Sequence, residues 1–261
     1  MTFPLPNAIL AALSVTLFTL SPATATGQSL LGTPAAASAS VATPSGGGTS
    51  MNAALASSGW SGALRVMIAE PTTELRLPVP ADLSYRWTAL FENSADLLGK
   101  PSFSTGPLRS PEAPGVWRLE TGDVGEPSSR IAVITEVPFE AKVDGYLNGY
   151  HIGRYPVEGS GRNDEYAPPE GFIEVTPANQ DFYVSEHFQI RDFLTKDQFD
   201  VWPKYVALDL QLIDKLELVL QELNKMGIRA DHLEVMSGFR TPQYNDPGGN
   251  GRATLSRHTY G

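Results

Sequence analysis

The chain has 261 residues, a formal net charge of -10 and no cysteine. An acidic chain of this kind lacks the basic face that a phosphate backbone requires, so a nucleic-acid partner is not expected, and its charge argues against docking on an anionic membrane surface. Disulfides, thiolate metal sites, cysteine nucleophiles and a lipidated cysteine are excluded outright.

No residue before Arg65 carries a charged side chain. Residues 8–20 form an apolar run of signal-peptide length, too short for a comfortable membrane span. Ala23-Thr24-Ala25 follows as a small-x-small cleavage pattern, although the first seven residues contain no Lys or Arg. A signal peptide over 1–25 is therefore expected, and with it an exported protein, periplasmic or extracellular. Residues 26–59 are rich in Ala, Ser, Gly, Thr and Pro. Such a segment has too little bulky apolar surface to offset the entropy of ordering it, and reads as a linker.

From residue 60 to 156 the pattern is that of short strands. Residues 63–68, 83–90, 116–119 and 130–135 are apolar or alternating runs, separated by turn signals at Gly122-Asp123 and Pro127-Ser128. An all-β, immunoglobulin-like antiparallel sandwich is expected, with Trp87 and Trp117 in its core. Asn148-Gly149 lies between Tyr146-Leu147 and Tyr150-His151. Both central residues tolerate positive φ, so the pair predicts a hairpin with a type I′ turn. Its tyrosines read first as cross-strand pairs and second as a grip for a glycan or peptide. Residues 157–182 form a connecting segment, with Pro168-Pro169-Glu170-Gly171 as a boundary and a short strand at 172–175.

Beyond residue 183 the periodicity changes. Leu212, Ile213, Leu216, Val219, Leu220 and Leu223 recur at steps of three and four, predicting an amphipathic helix over 206–226. Pro203 precedes it and Gly227 supplies a left-handed C-terminal cap. Residues 233–237 then read as a buried strand that ends in a polar loop. His187 reads as a local structural residue bonded to backbone beside Phe188.

The end of the chain carries the chemistry. Ser237-Gly238-Phe239-Arg240-Thr241-Pro242, Tyr244-Asn245 and Ser256-Arg257-His258-x-x-Gly261 follow the helix in that order. With Ser185-x-His187-Phe188 and Trp202-Pro203-Lys204-Tyr205, they resemble the zinc-dependent D-alanyl-D-alanine peptidases of family M15. The resemblance covers about residues 183–261 and leaves out the β-rich module. It implies an α+β peptidase domain, of which 183–261 would be the first part. It makes His258 a zinc ligand, Arg240 a catalytic residue that faces substrate, and Ser256 a second substrate-binding residue. The remaining ligands and the catalytic carboxylate are expected beyond Gly261, so that these 261 residues alone would be inactive. The implied substrate is the peptidoglycan stem peptide, cut at D-amino-acid bonds by carboxypeptidase or endopeptidase action.

The residue types suit that chemistry. Catalytic zinc commonly takes three protein ligands and keeps one open position. Bound zinc brings the pKa of water to about 7. Arginine is permanently charged and offers a planar fork of donors to a carboxylate or oxyanion. Read alone, His258 is a surface histidine and Arg240 a salt-bridge donor. The competing classes are a non-catalytic cell-wall binding protein that keeps the peptidase framework, and a protein-interaction role for the β module.

Overall fold

A computed structural model describes residues 65–77, 83–91, 102–122, 130–155, 167–245 and 256–261. The expected signal peptide and linker, the turn residues Asp123 and Pro127-Ser128, and the glycine-rich loop 247–251 lie outside the described residues. So does residue 156, where the β-rich module was expected to end.

Five strands form the first sheet: β1 (Arg65–Ala69), β2 (Ser84–Ala89), β3 (Ser104–Thr105), β4 (Gly115–Thr121) and β5 (Ile131–Thr135), in the order β1-β5-β4-β2-β3. The pairings β2–β3, β2–β4 and β4–β5 are antiparallel, as the sequence suggests, whereas β1 runs parallel to β5. Every residue of β5 is buried, which fits an apolar run covered on both faces. Alternation sorts the side chains. Tyr85, Trp87, Trp117, Leu119, Ile131 and Val133 form one apolar cluster, while Val66, Val116 and Ile134 join a second, larger one. Both indoles are core anchors with satisfied N–H groups: Trp87 Nε1 donates to Arg109 O at 2.7 Å and Trp117 Nε1 to Ala113 O at 3.1 Å.

Glu136 links β5 to β6 (Val137–Pro138), and its N–H donates to Ala69 O at the end of β1. β6 is an edge of a second sheet, β10-β9-β6, with β9 at Gly171–Val175 and β10 at Lys204–Val206. All its pairings are antiparallel. The larger cluster takes residues from Val66 in the first sheet to Phe239. It thus runs through the positions where the sequence suggested module boundaries.

β7 (Tyr146–Leu147) and β8 (Tyr150–His151) form the predicted hairpin. Asn148 and Gly149 have φ of 44° and 85°, the left-handed pair a type I′ turn needs. Tyr146 and His151 stack across the strands at 4.2 Å between ring centroids. The turn is tied down as well: Asn148 Nδ2 donates to the Tyr205 hydroxyl at 2.7 Å, and that hydroxyl donates to Glu174 Oε2 at 2.8 Å. Asn148→Ala should therefore cost about 1–2 kcal/mol, from the lost hydrogen bond and from a left-handed φ that alanine adopts poorly. Urea unfolding of the variant beside the wild type measures it.

The helix α1 spans Leu210–Lys225 rather than starting at 206, because Lys204–Val206 is taken by β10 pairing with β9. Asp209 caps it by accepting the N–H of Gln211 at 2.8 Å. Gly227 at φ 80° ends it, and Lys225 pairs with Glu222 at 2.7 Å. Of the predicted apolar stripe, Ile213 and Leu220 are buried and Leu216 and Leu223 half-buried. Leu212 and Val219 are exposed. Residues 233–237 form no strand, and Met236 is exposed. Among the described residues, no helix is long and apolar enough to cross a membrane.

Candidate functional site

The loop that carries Arg240 is built against Phe193. Phe239 N–H donates to Phe193 O at 2.8 Å, and the ring of Phe239 is buried beside Phe172. Gly238 makes the approach possible: a Cβ there would lie 2.5 Å from Phe193 Cα. Glycine at 238 thus answers to close backbone contact.

The short helix α2 (Pro242–Asn245) follows at once. Its Gln243 N–H donates to Ile152 O at 2.9 Å, just after β8. Gly153, at φ 87°, lies directly beneath: a Cβ on it would meet Gln243 N at 2.6 Å. Beside them, the rings of Tyr155 and Tyr260 are 5.6 Å apart. The tyrosine-rich hairpin is therefore a floor beneath the Arg240 loop. Tyr150 and Tyr155 are buried, and Tyr146 is exposed.

Residues 257–259 form a single 3-10 turn preceded by Ser256. The turn brings His258 back onto the Arg240 loop, 18 residues away in sequence. Arg240 N–H donates to His258 O at 2.7 Å. His258 Nδ1 lies 2.8 Å from Gly238 O. A carbonyl only accepts, so Nδ1 carries the proton, and in the neutral ring Nε2 keeps its lone pair. The ring is exposed, and Nε2 has no hydrogen-bond partner among the described residues. Metal-binding histidines are commonly oriented in this way, by a carbonyl on the nitrogen that does not bind.

The Arg240 guanidinium is anchored at one corner only. Nε donates to Ser237 Oγ at 2.9 Å, and the two terminal nitrogens have no partner among the described residues. The side chain is thus aimed while two parallel donors stay available. Ser256 contributes its carbonyl, which accepts from the Thr259 N–H and hydroxyl, and its own hydroxyl makes no capping bond. The structure therefore brings Ser237, Gly238, Arg240 and His258 into one hydrogen-bonded unit, with Ser256 at its edge. Among the described residues, no group of three or more His, Asp or Glu is gathered as a metal would need.

His187 is not part of this unit. Its Nδ1 lies 2.6 Å from Glu217 Oε2 on α1, and its N–H donates to Glu217 Oε1 at 2.9 Å. The expected bond to backbone is replaced by a carboxylate 30 residues on. Burial works to raise the Glu217 carboxyl, but the neighbouring Ser185 and the hydrogen bonds from His187 outweigh it and hold the group below its ordinary range. The pair pins the 183–193 segment to the helix.

Comparison with family models, with curated proteins and with solved structures finds no match to this chain.

Proposed function

We propose that the protein is an exported zinc-dependent peptidase acting on D-amino-acid bonds of peptidoglycan stem peptides. The reading rests on the sequence resemblance, and one observation supports it most. His258 is held through Nδ1 by Gly238 O, with its Nε2 lone pair unused, beside an arginine whose terminal nitrogens are unused as well. Two features that the motif pairs in sequence are paired in space by direct hydrogen bonds.

The imidazole suits one ligand position of a zinc ion, since its tautomer is already the metal-binding one. The resemblance implies further donors, which the described residues do not gather. Bound zinc would supply Lewis acidity toward a peptide carbonyl. The residues of this chain would do the rest by position. Arg240 presents its two terminal nitrogens to a carboxylate or to developing negative charge on oxygen. Ser237 keeps the guanidinium plane from turning. Ser256 lines the edge from which a peptide would approach.

The full-length protein is the material for the test. Incubated with muropeptides, it should release D-alanine or resolve D-amino-acid cross-links, stop on treatment with a zinc chelator, and recover when zinc is returned. Cleavage that continues after zinc is stripped would overturn the metal assignment. Retention on sacculi without any cleavage would favour the wall-binding class instead.

A further inference from the structure

The two peptides that flank Arg240 bond the rest of the chain through three groups, and one hydroxyl takes two of them. Thr195 is 4% exposed. Its Oγ1 donates to Phe239 O at 3.1 Å and accepts the N–H of Thr241 at 3.2 Å. The first group belongs to the peptide before Arg240 and the second to the peptide after it. These two planes define the φ and ψ of Arg240. No other hydrogen bond reaches either group among the described residues. The third group is Arg240 N–H itself, which donates to His258 O.

The hydroxyl has a backing of its own. The buried Tyr150 of β8 lies beside Thr195, and its own hydroxyl donates to Asp197 Oδ1 at 3.3 Å. A threonine hydroxyl offers one donor and two acceptor positions, and the bonds to Phe239 and Thr241 use the donor and one acceptor position. Thr195 sits two residues after Phe193, whose carbonyl takes the N–H of Phe239. Residues 193–195 therefore run beside 239–241 on one side, and His258 closes the other.

We infer that Thr195 is a positioning residue for the Arg240–His258 pair. Its hydroxyl fixes both peptide planes around Arg240, and with the first of them the Arg240 N–H that holds the His258 carbonyl and so keeps the ring where Gly238 O selects its Nδ1–H form. This deepens the proposed peptidase site and rests on reading Arg240 and His258 as its members. Thr195 touches neither substrate nor metal in this account. It acts through the backbone of the residue that does.

The test reads the imidazole itself. The full chain is labelled with 15N-histidine, and the ring nitrogens are followed by NMR at a pH where the rings are neutral. Wild-type His258 should show one dominant Nδ1–H form. In Thr195→Val, which keeps the shape and loses the hydroxyl, the Nδ1 and Nε2 signals of His258 should move toward each other as the two tautomers mix. Thr195→Ser should restore the wild-type pattern. His187, held by Glu217, serves as the internal reference and should not change. If Thr195→Val does not fold, Thr195→Ala is read in the same way. An unaltered His258 in the hydroxyl-free variant overturns the inference. So does failure of serine to rescue, or an equal change at His187, which would mean general loosening. Lack of muropeptide cleavage by the wild type would sink the peptidase reading and leave this spectroscopic result standing.

Discussion

Glutamine at position 136 should remove about 3 kcal/mol of pH dependence from the stability of the fold. Glu136 is 9% exposed. It sits in the link between the two sheets, with its Cβ 2.8 Å from where a Cβ on Gly171 would lie. Its carboxyl has no hydrogen bond among the described residues. Burial, with repulsion from Glu170 and Glu70 added, raises its pKa from 4.5 to about 7. The unfolded chain has no such environment and titrates at the ordinary value. Between pH 4.5 and about 7 the folded protein keeps a proton that the unfolded one has released. The stabilising difference is therefore complete below the unfolded pKa, shrinks as pH rises through the window, and is gone above the folded pKa.

At about 1.4 kcal/mol per pH unit, that window of 4.5 to about 7 corresponds to about 3 kcal/mol. Urea unfolding of wild type and Glu136→Gln at pH 5 and pH 8 provides the comparison. The variant should gain on the wild type as pH rises. The difference between the two proteins is the quantity to read, because Glu217 contributes with the opposite sign. Its lowered pKa gives stability that is present above the unfolded value and lost in acid. Parallel pH profiles for the two proteins would refute the account of Glu136.

Gly238→Ala should cost about 3 kcal/mol and displace the candidate site at the same time. The added methyl would meet Phe193 Cα at 2.5 Å, O at 2.8 Å and C at 2.9 Å. All three are backbone atoms, so no rotamer change relieves the contact. Overpacking of this kind typically costs about 1–3 kcal/mol, and here the bond from Phe239 N–H to Phe193 O is strained as well. The 238–239 peptide must move outward, which shifts the carbonyl that holds His258 Nδ1. A thermal melt gives the loss of stability, and the His258 ring signals give the displacement. An alanine variant with a wild-type melting temperature would mean that the two segments part without penalty.

The features legible in sequence are those set by neighbours along the chain. Asn148-Gly149 announces its turn because positive φ is a property of the two residues themselves. Gly227 marks the end of α1 for the same kind of reason, whereas the Asp209 cap at its start was not picked out. Trp87 and Trp117 could be assigned to the core from the alternation around them. What sequence pattern misses depends on partners far away. Leu212 and Val219 share the period of Ile213 and Leu220, yet period alone does not say how wide a face the rest of the fold covers. The run 233–237 has strand composition, but among the described residues no strand pairs with it. His187 finds its carboxylate on α1, and Glu136 is buried by Gly171 and the end of β1. The site shows the same division. Arg240, Ser256 and His258 were visible as motif positions, whereas Thr195 and the hairpin floor were not. A lone threonine in a mixed segment carries no pattern.

The hairpin floor bears on how the molecule can be taken apart. The Arg240 loop rests on Ile152 and Gly153, which precede the resemblance to the peptidase family by some thirty residues. A graft that moved only residues 183–261 to a foreign carrier would leave the Gln243 amide without its acceptor and the Tyr260 ring without Tyr155. The portable unit, by this geometry, begins no later than the strand that ends in Tyr146-Leu147, and any shorter transplant would carry the motif without its footing.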